Sequence, residues 1–197
     1  IHNPSADIPI DDLIPGGTHP ARVKLLKEEL IAFQTGMVSL RSKMKTTKAE
    51  PCIESGSWRK DFLSMFPYEL TNAQSRVESE INKDLIKSEP MMRLVQGDVG
   101  SGKTAVAVLA ATKALDSNFQ AAFMAPTTLL AQQHFENIKK FFPNHIDEIE
   151  LLTSGLTKSV RKKILEKVKS GKIKFIVGTH AIFQADVEYC NLALAII

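Results

Sequence analysis

The octapeptide Gly97-Asp98-Val99-Gly100-Ser101-Gly102-Lys103-Thr104 sets three glycines, a lysine and a threonine at fixed intervals. Each residue type has a chemical use there. Glycine takes backbone angles closed to other residues, so the successive amides of Gly97, Asp98, Val99, Gly100, Ser101 and Gly102 can turn inward on an anion. Lys103 adds a point charge suited to the β- and γ-phosphates of a nucleoside triphosphate, and the Thr104 hydroxyl is a ligand for Mg²⁺. The run fits G-x-x-x-x-G-K-[ST] at every fixed position. Its flanks agree, because apolar Met91–Gln96 reads as a strand and Ala/Val-rich Lys103–Leu115 as a helix whose amino end faces the same anion. Such a loop specifies triphosphate binding and leaves open what the triphosphate is used for.

Gln74 carries two readings. In Thr71-x-x-Gln74 it completes a capping box, its carboxamide reaching back to the Thr71 amide. The same carboxamide offers a donor and an acceptor side by side, which suits N6 and N7 of adenine.

The elements that must position these groups divide near residue 67. Ile1–His19 is rich in Pro, Gly and Asp and reads as an extended linker. From Pro20 to about Lys45, Val23, Leu26, Leu30, Phe33, Met37, Leu40 and Met44 recur at alternating intervals of three and four, a stripe along one helix. Such a stripe suits a coiled coil or, as the favoured reading, packing against another part of the same protein. Lys45–Ser57 reads as a loop, and Ser57 as the cap of a short helix from Trp58 to Phe66. This gives a linker unit over 1–66 and a second domain over 67–197.

Beyond Leu70, helical patterns alternate with short apolar runs. Helices are expected from Thr71 to about Ser88, over Lys103–Leu115, Thr127–Phe142 and Val160–Lys169, with one turn at His180–Gln184. Strands are expected at Met91–Gln96, Gln120–Ala125, Ile149–Leu152, Ile173–Val177 and Leu192–Ile197. Alternation of this kind argues for an α/β fold, a parallel sheet with helices on both faces. Right-handed crossovers bring every strand's carboxyl end to one edge, where ligands bind.

Composition narrows the class. A chain of 197 residues, 44% of them apolar and 24% charged, is neither disordered nor collagenous. No apolar run approaches the roughly 18 residues of a membrane span. The opening residues lack the apolar core of a signal peptide. Cys52 and Cys190 stand far apart, which excludes a C-x-x-C zinc knuckle and suits a reducing cytoplasm. A net charge of +3 does not argue for nucleic-acid binding. Between Lys158 and Lys174, however, eight basic residues face the single acid Glu166, a stretch read mainly as a solvated surface.

Taken together, the motifs carry a resemblance. Leu70-Thr71-Asn72-Ala73-Gln74 resembles the Q motif of superfamily 2 helicases, and Met92–Thr104 is similar to motif I of the RecG family of bacterial ATP-dependent DNA helicases. Ala125–His134 resembles motif Ia, Leu152-Thr153-Ser154-Gly155 falls at motif Ib, and Val177–Gln184 is similar to motif Ic. Gly17–Ala21 with Glu28, Glu29, Leu30 and Gln34 resembles the RecG segment that joins the wedge domain to the motor.

The resemblance implies a P-loop, RecA-like first motor lobe preceded by a helical linker. It implies ATP and Mg²⁺ as cofactors and branched DNA, namely stalled forks and Holliday junctions, as the partner in recombination and repair. It assigns DNA contacts to Pro126, Thr127, Thr128, Thr153, Ser154, Gly155, Thr179 and His180. Their places after strand ends suit phosphate contacts that track the backbone without reading bases. The plainer readings are N-capping or turn formation for Thr127 and Thr153 and a structural role for His180.

In the family, motif II (Asp-Glu-x-His) would follow Ile197, so the chain is expected to hold the ATP cradle but to be inactive alone. Rival readings are the translocase module of the transcription-repair coupling factor, a small-molecule P-loop kinase, and an ATP-binding interaction module without motor activity. No membrane partner is expected, and the oligomeric state stays open.

Overall fold

A computed structural model describes residue 9, residues 19–45 and residues 47–197; the expected linker over Ile1–His19 lies almost wholly outside the described residues. The chain forms two compact units, Ile1–Thr47 and Lys48–Ile197.

In the first unit, α1 (Pro20–Lys45) is the helix its periodicity predicts. Of its stripe, Leu26, Leu30, Phe33 and Leu40 are more than half exposed, and Val23 and Met37 are half-buried.

The second unit begins earlier than the boundary at 67, and the reason is packing. Residues 48–66, expected to belong with the linker, are built into this unit. The Ala49 and Cys52 amides donate to the Ser88 and Leu85 carbonyls at 2.9 Å each. Helix α2 (Ser57–Met65) buries Trp58 and Phe62. Trp58 meets Phe142 edge-on at 5.0 Å and lies stacked 3.9 Å over His145. Ser57 is not its cap. Gly56 stands at that position, and the carboxylate of Asp116 takes the Trp58 and Arg59 amides at 2.9 and 3.3 Å. Ser57 Oγ lies 3.2 Å from His145 Nε2 instead.

Helix α3 (Asn72–Leu85) follows, then α4 (Lys103–Asp116), β1 (Gln120–Met124) and α5 (Thr128–Phe141). A 3₁₀ segment, Pro143–Glu148, leads into β2 (Ile149–Leu152) and α6 (Lys158–Lys169). The remainder is β3 (Phe175–Gly178), a 3₁₀ turn at His180–Phe183, and β4 (Leu192–Ile196). The four strands pair in parallel in the order β2-β3-β1-β4.

Side chains alternate across the sheet as a two-residue period requires. Ala121, Phe123, Phe175 and Val177 join a core built with residues of α2–α5, while Ala122, Leu152 and Ile176 pack with Ile164, Val168 and Ile182. Helices therefore cover both faces, and the fold is the RecA-like α/β architecture.

The expected strand Met91–Gln96 forms no ladder. A strand needs a neighbour within hydrogen-bonding reach along its length. Here a cavity of about 330 Å³ opens between Met91, Arg93, Leu94 and Val95 on one side and Leu194–Ile197 on the other. Met91 and Val95 still pack against the core. Arg93 ties the segment to α3 through Asp84 at 2.6 Å and Glu80 at 2.8 Å.

Candidate functional site

Three carboxyl ends lie level in the sheet, because Met124 and Leu152 both stand opposite Gly178. The loops that follow are joined. The Ala125 amide donates to the Gly178 carbonyl at 2.8 Å, and the Thr179 amide to Leu152 at 3.4 Å. Gly178 must be glycine for this approach, since a Cβ there would overlap the Leu152 carbonyl oxygen and stand 2.5 Å from Ile182 Cγ2. Pro126, Thr127 and Thr128, then Thr153, Ser154 and Gly155, and finally Thr179 and His180 thus lie on one edge.

They do not all offer a free group. The Thr127 hydroxyl caps α5 by accepting from the Leu130 amide at 3.3 Å. Thr153 is buried. Pro126, Thr128, Ser154, Gly155 and His180 are exposed, and Thr179 is half-buried.

The phosphate loop is placed by α4. Gly100 and Gly102 take φ of +82° and +81°, angles that side chains rarely tolerate. Gly102 occupies the N-cap position with no side chain to serve the first-turn amides. Helices α3, α5 and α6 differ, each being capped by a threonine hydroxyl from Thr71, Thr127 and Thr157. An uncapped amino end behind a glycine-rich bend is ready for an anion. The Lys103 ammonium curls back over the loop, donating to the Gly97 and Asp98 carbonyls at 2.6 and 2.7 Å. Lys103 and Thr104 open into the same cavity as Arg93, Ile196 and Ile197, which puts the loop beside the carboxyl end of β4.

Gln74 forms the capping box. Its Oε1 accepts from the Thr71 amide at 2.9 Å, and its own amide donates to Thr71 Oγ1 at 3.2 Å. Its Nε2 also reaches the phosphate loop, donating to the Ser101 carbonyl at 3.0 Å.

Electrostatics around these loops is local. Hydrogen bonds from Lys87 and then Arg93 hold the Asp84 carboxyl below its ordinary range. Burial lowers the pKa of His134, whose ring lies 5.0 Å from Phe123. On basic α6, Arg161 pairs with Asp186 at 2.8 Å and Lys169 with Glu188 at 2.6 Å, while Lys158, Lys162 and Lys163 are exposed.

Sequence reasoning did not single out Arg93 or the Ser101 carbonyl. A basic residue inside an apolar run was a usable signal for Arg93. A backbone acceptor leaves no signal in the sequence.

The DEAD/DEAH box helicase family matches residues 71–197. The chain belongs to that family. Over its full length it is 45% identical to the ATP-dependent DNA helicase RecG of Haemophilus influenzae and 42% identical to that of Escherichia coli K12. It spans 28% of the length of each. A solved structure of RecG bound to a three-way DNA junction superposes with a TM-score of 0.79 at 39% identity, covering 89% of this chain and 24% of that one. The chain is therefore similar to one segment of RecG, the resemblance its motifs carry.

Proposed function

We propose that the chain is the nucleotide-binding part of an ATP-dependent helicase that remodels branched DNA in repair and recombination. The observation that carries this reading is the uncapped amino end of α4, with Lys103 folded over it, on the sheet edge that also bears the motif Ia, Ib and Ic loops. The relatives named RecG, and the RecG structure with a three-way junction, support DNA as the partner.

The chemistry follows from the groups present. The loop amides from Gly97 to Thr104 hold the phosphates, and Lys103 exchanges its two carbonyl partners for β- and γ-phosphate oxygens. Thr104 would hold Mg²⁺, which would supply charge neutralisation for the phosphates. Pro126, Thr127, Thr128, Ser154, Gly155, Thr179 and His180 line the track for a DNA backbone, with Thr153 bracing its loop from within. Phosphate contacts of this sort position a duplex without specifying its sequence, as a motor on any DNA requires.

The test is ATP turnover by the full-length protein with and without forked DNA. Forked DNA should stimulate turnover, and Lys103→Ala should lower it by about 100-fold or more. Turnover indifferent to DNA, or retained in Lys103→Ala, refutes the proposal.

A further inference from the structure

Helix α6 runs away from the sheet edge directly after the Thr153-Ser154-Gly155 loop, and its lysines are not used alike. Toward its far end, Lys167 lies 3.7 Å from Glu150, and Lys169 pairs with Glu188 at 2.6 Å. In its first two turns, Lys158 and Lys162 are exposed and form no ion pair among the described residues. The acid beside those turns is taken, since Asp186 accepts from Arg161 at 2.8 Å. Glu166, one turn beyond Lys162, makes no ion pair with it.

This arrangement works against the helix. Lys158 stands in the first turn, where the backbone amides repel a cation and no acidic side chain offsets them. Lys158 and Lys162 share one flank at i,i+4 spacing, where like charges repel. The flank is nonetheless held firmly. Arg161 Nη2 donates to Gln184 Oε1 as well as to Asp186, which ties α6 to the chain that follows the Thr179-His180 loop. On the buried face, Ile164 and Val168 pack with Leu152, Ile176 and Ile182. The two ammonium groups are thus presented beside the loops that follow β2 and β3. An anion lying across them relieves both repulsions.

We propose that Lys158 and Lys162 form a phosphate-binding patch that extends the DNA track from those loops onto α6, gripping a strand's backbone without reading its bases. This rests on the reading of that sheet edge as a DNA track. A lysine ammonium is a point charge on a flexible stem, which suits a phosphate in any sequence. Each contact releases condensed counterions, so its contribution falls as salt rises. Two exposed contacts of this kind are worth about tenfold in affinity at low salt.

The experiment measures binding of the full-length protein to two labelled three-way DNA junctions of unrelated sequence, by fluorescence anisotropy over a series of salt concentrations. Wild type is compared with Lys158→Gln/Lys162→Gln and with Lys140→Gln/Lys172→Gln. The second pair makes the same charge change at two exposed lysines beyond the far ends of the track, Lys140 in the last turn of α5 and Lys172 after α6. The proposal predicts that Lys158→Gln/Lys162→Gln weakens both junctions equally, by about tenfold at low salt. The slope of log affinity against log salt should fall by about two. The melting temperature should not fall, because removing Lys158 relieves the helix end. Lys140→Gln/Lys172→Gln should stay within about twofold of wild type, since screening isolates charges more than about 10 Å from the phosphates. No loss in the first pair, an equal loss in the second, loss on one sequence alone, or a lowered melting temperature in the first pair overturns it. A wild type that binds neither junction instead overturns the DNA reading of the sheet edge.

Discussion

Gln120 sits in an otherwise apolar strand, and every capacity of its carboxamide is used. Nε2 donates to the Val168 and Ile173 carbonyls at 2.9 and 2.7 Å, and Oε1 accepts from the Cys190 and Asn191 amides at 2.8 and 3.0 Å. One buried side chain thus joins the end of α6 to the approaches of β3 and β4. Gln120→Leu would remove all four of these hydrogen bonds, and we expect a stability loss of about 4 kcal/mol in urea unfolding.

Asp84 gives a prediction of a different kind. Its carboxyl is held below the usual range by Lys87 and Arg93, so the unfolded chain takes up the proton first as pH falls. The stability it contributes is present above the ordinary aspartate value of about 3.9 and is lost as pH drops through the lower folded value. Thermal unfolding from about pH 5 to about pH 2 should show a shallower acid limb for Asp84→Asn than for wild type.

At the scale of elements, the helices were legible because their signals are local. The Thr71, Thr127 and Thr157 caps and the three-four periodicity of α1 lie within a few residues of what they determine. What sequence missed was set by distant partners. Asp116 replaces Ser57 as the source of the α2 cap from 58 positions away. The segment 48–66 looked like linker because its docking depends on Ser88, Leu85, Asp116 and Phe142, all far along the chain. Met91–Gln96 is apolar enough for a strand, yet a ladder needs a partner within reach, and a cavity stands between it and β4.

The candidate site divides in the same way. The glycine bends of the phosphate loop were legible from residue types, whereas Thr127 and Thr153 needed coordinates to show a capping hydroxyl and a buried side chain. Their neighbours can therefore be tested separately. Thr179 caps no helix with its side chain. Thr179→Val should weaken DNA binding by about fivefold with the melting temperature unchanged. Thr127→Val should in addition lose about 1 kcal/mol of stability with its cap.

For the molecule as a whole, the phosphate loop and the three threonine-bearing loops share one sheet edge, with β4 lying between the phosphate loop and β1. Apart from Arg93, the cavity at Lys103 and Thr104 is lined by apolar residues of the segment before the loop, α3, α4, β1, β4 and Ile197.

The central claim is that this loop powers the remodelling of branched DNA. The most direct measurement is strand displacement from a labelled three-way junction by the full-length protein with ATP. We predict displacement by wild type, and bound but unaltered junction with Lys103→Ala. Equal displacement by Lys103→Ala, or ATP turnover by wild type that leaves the junction intact, would contradict it.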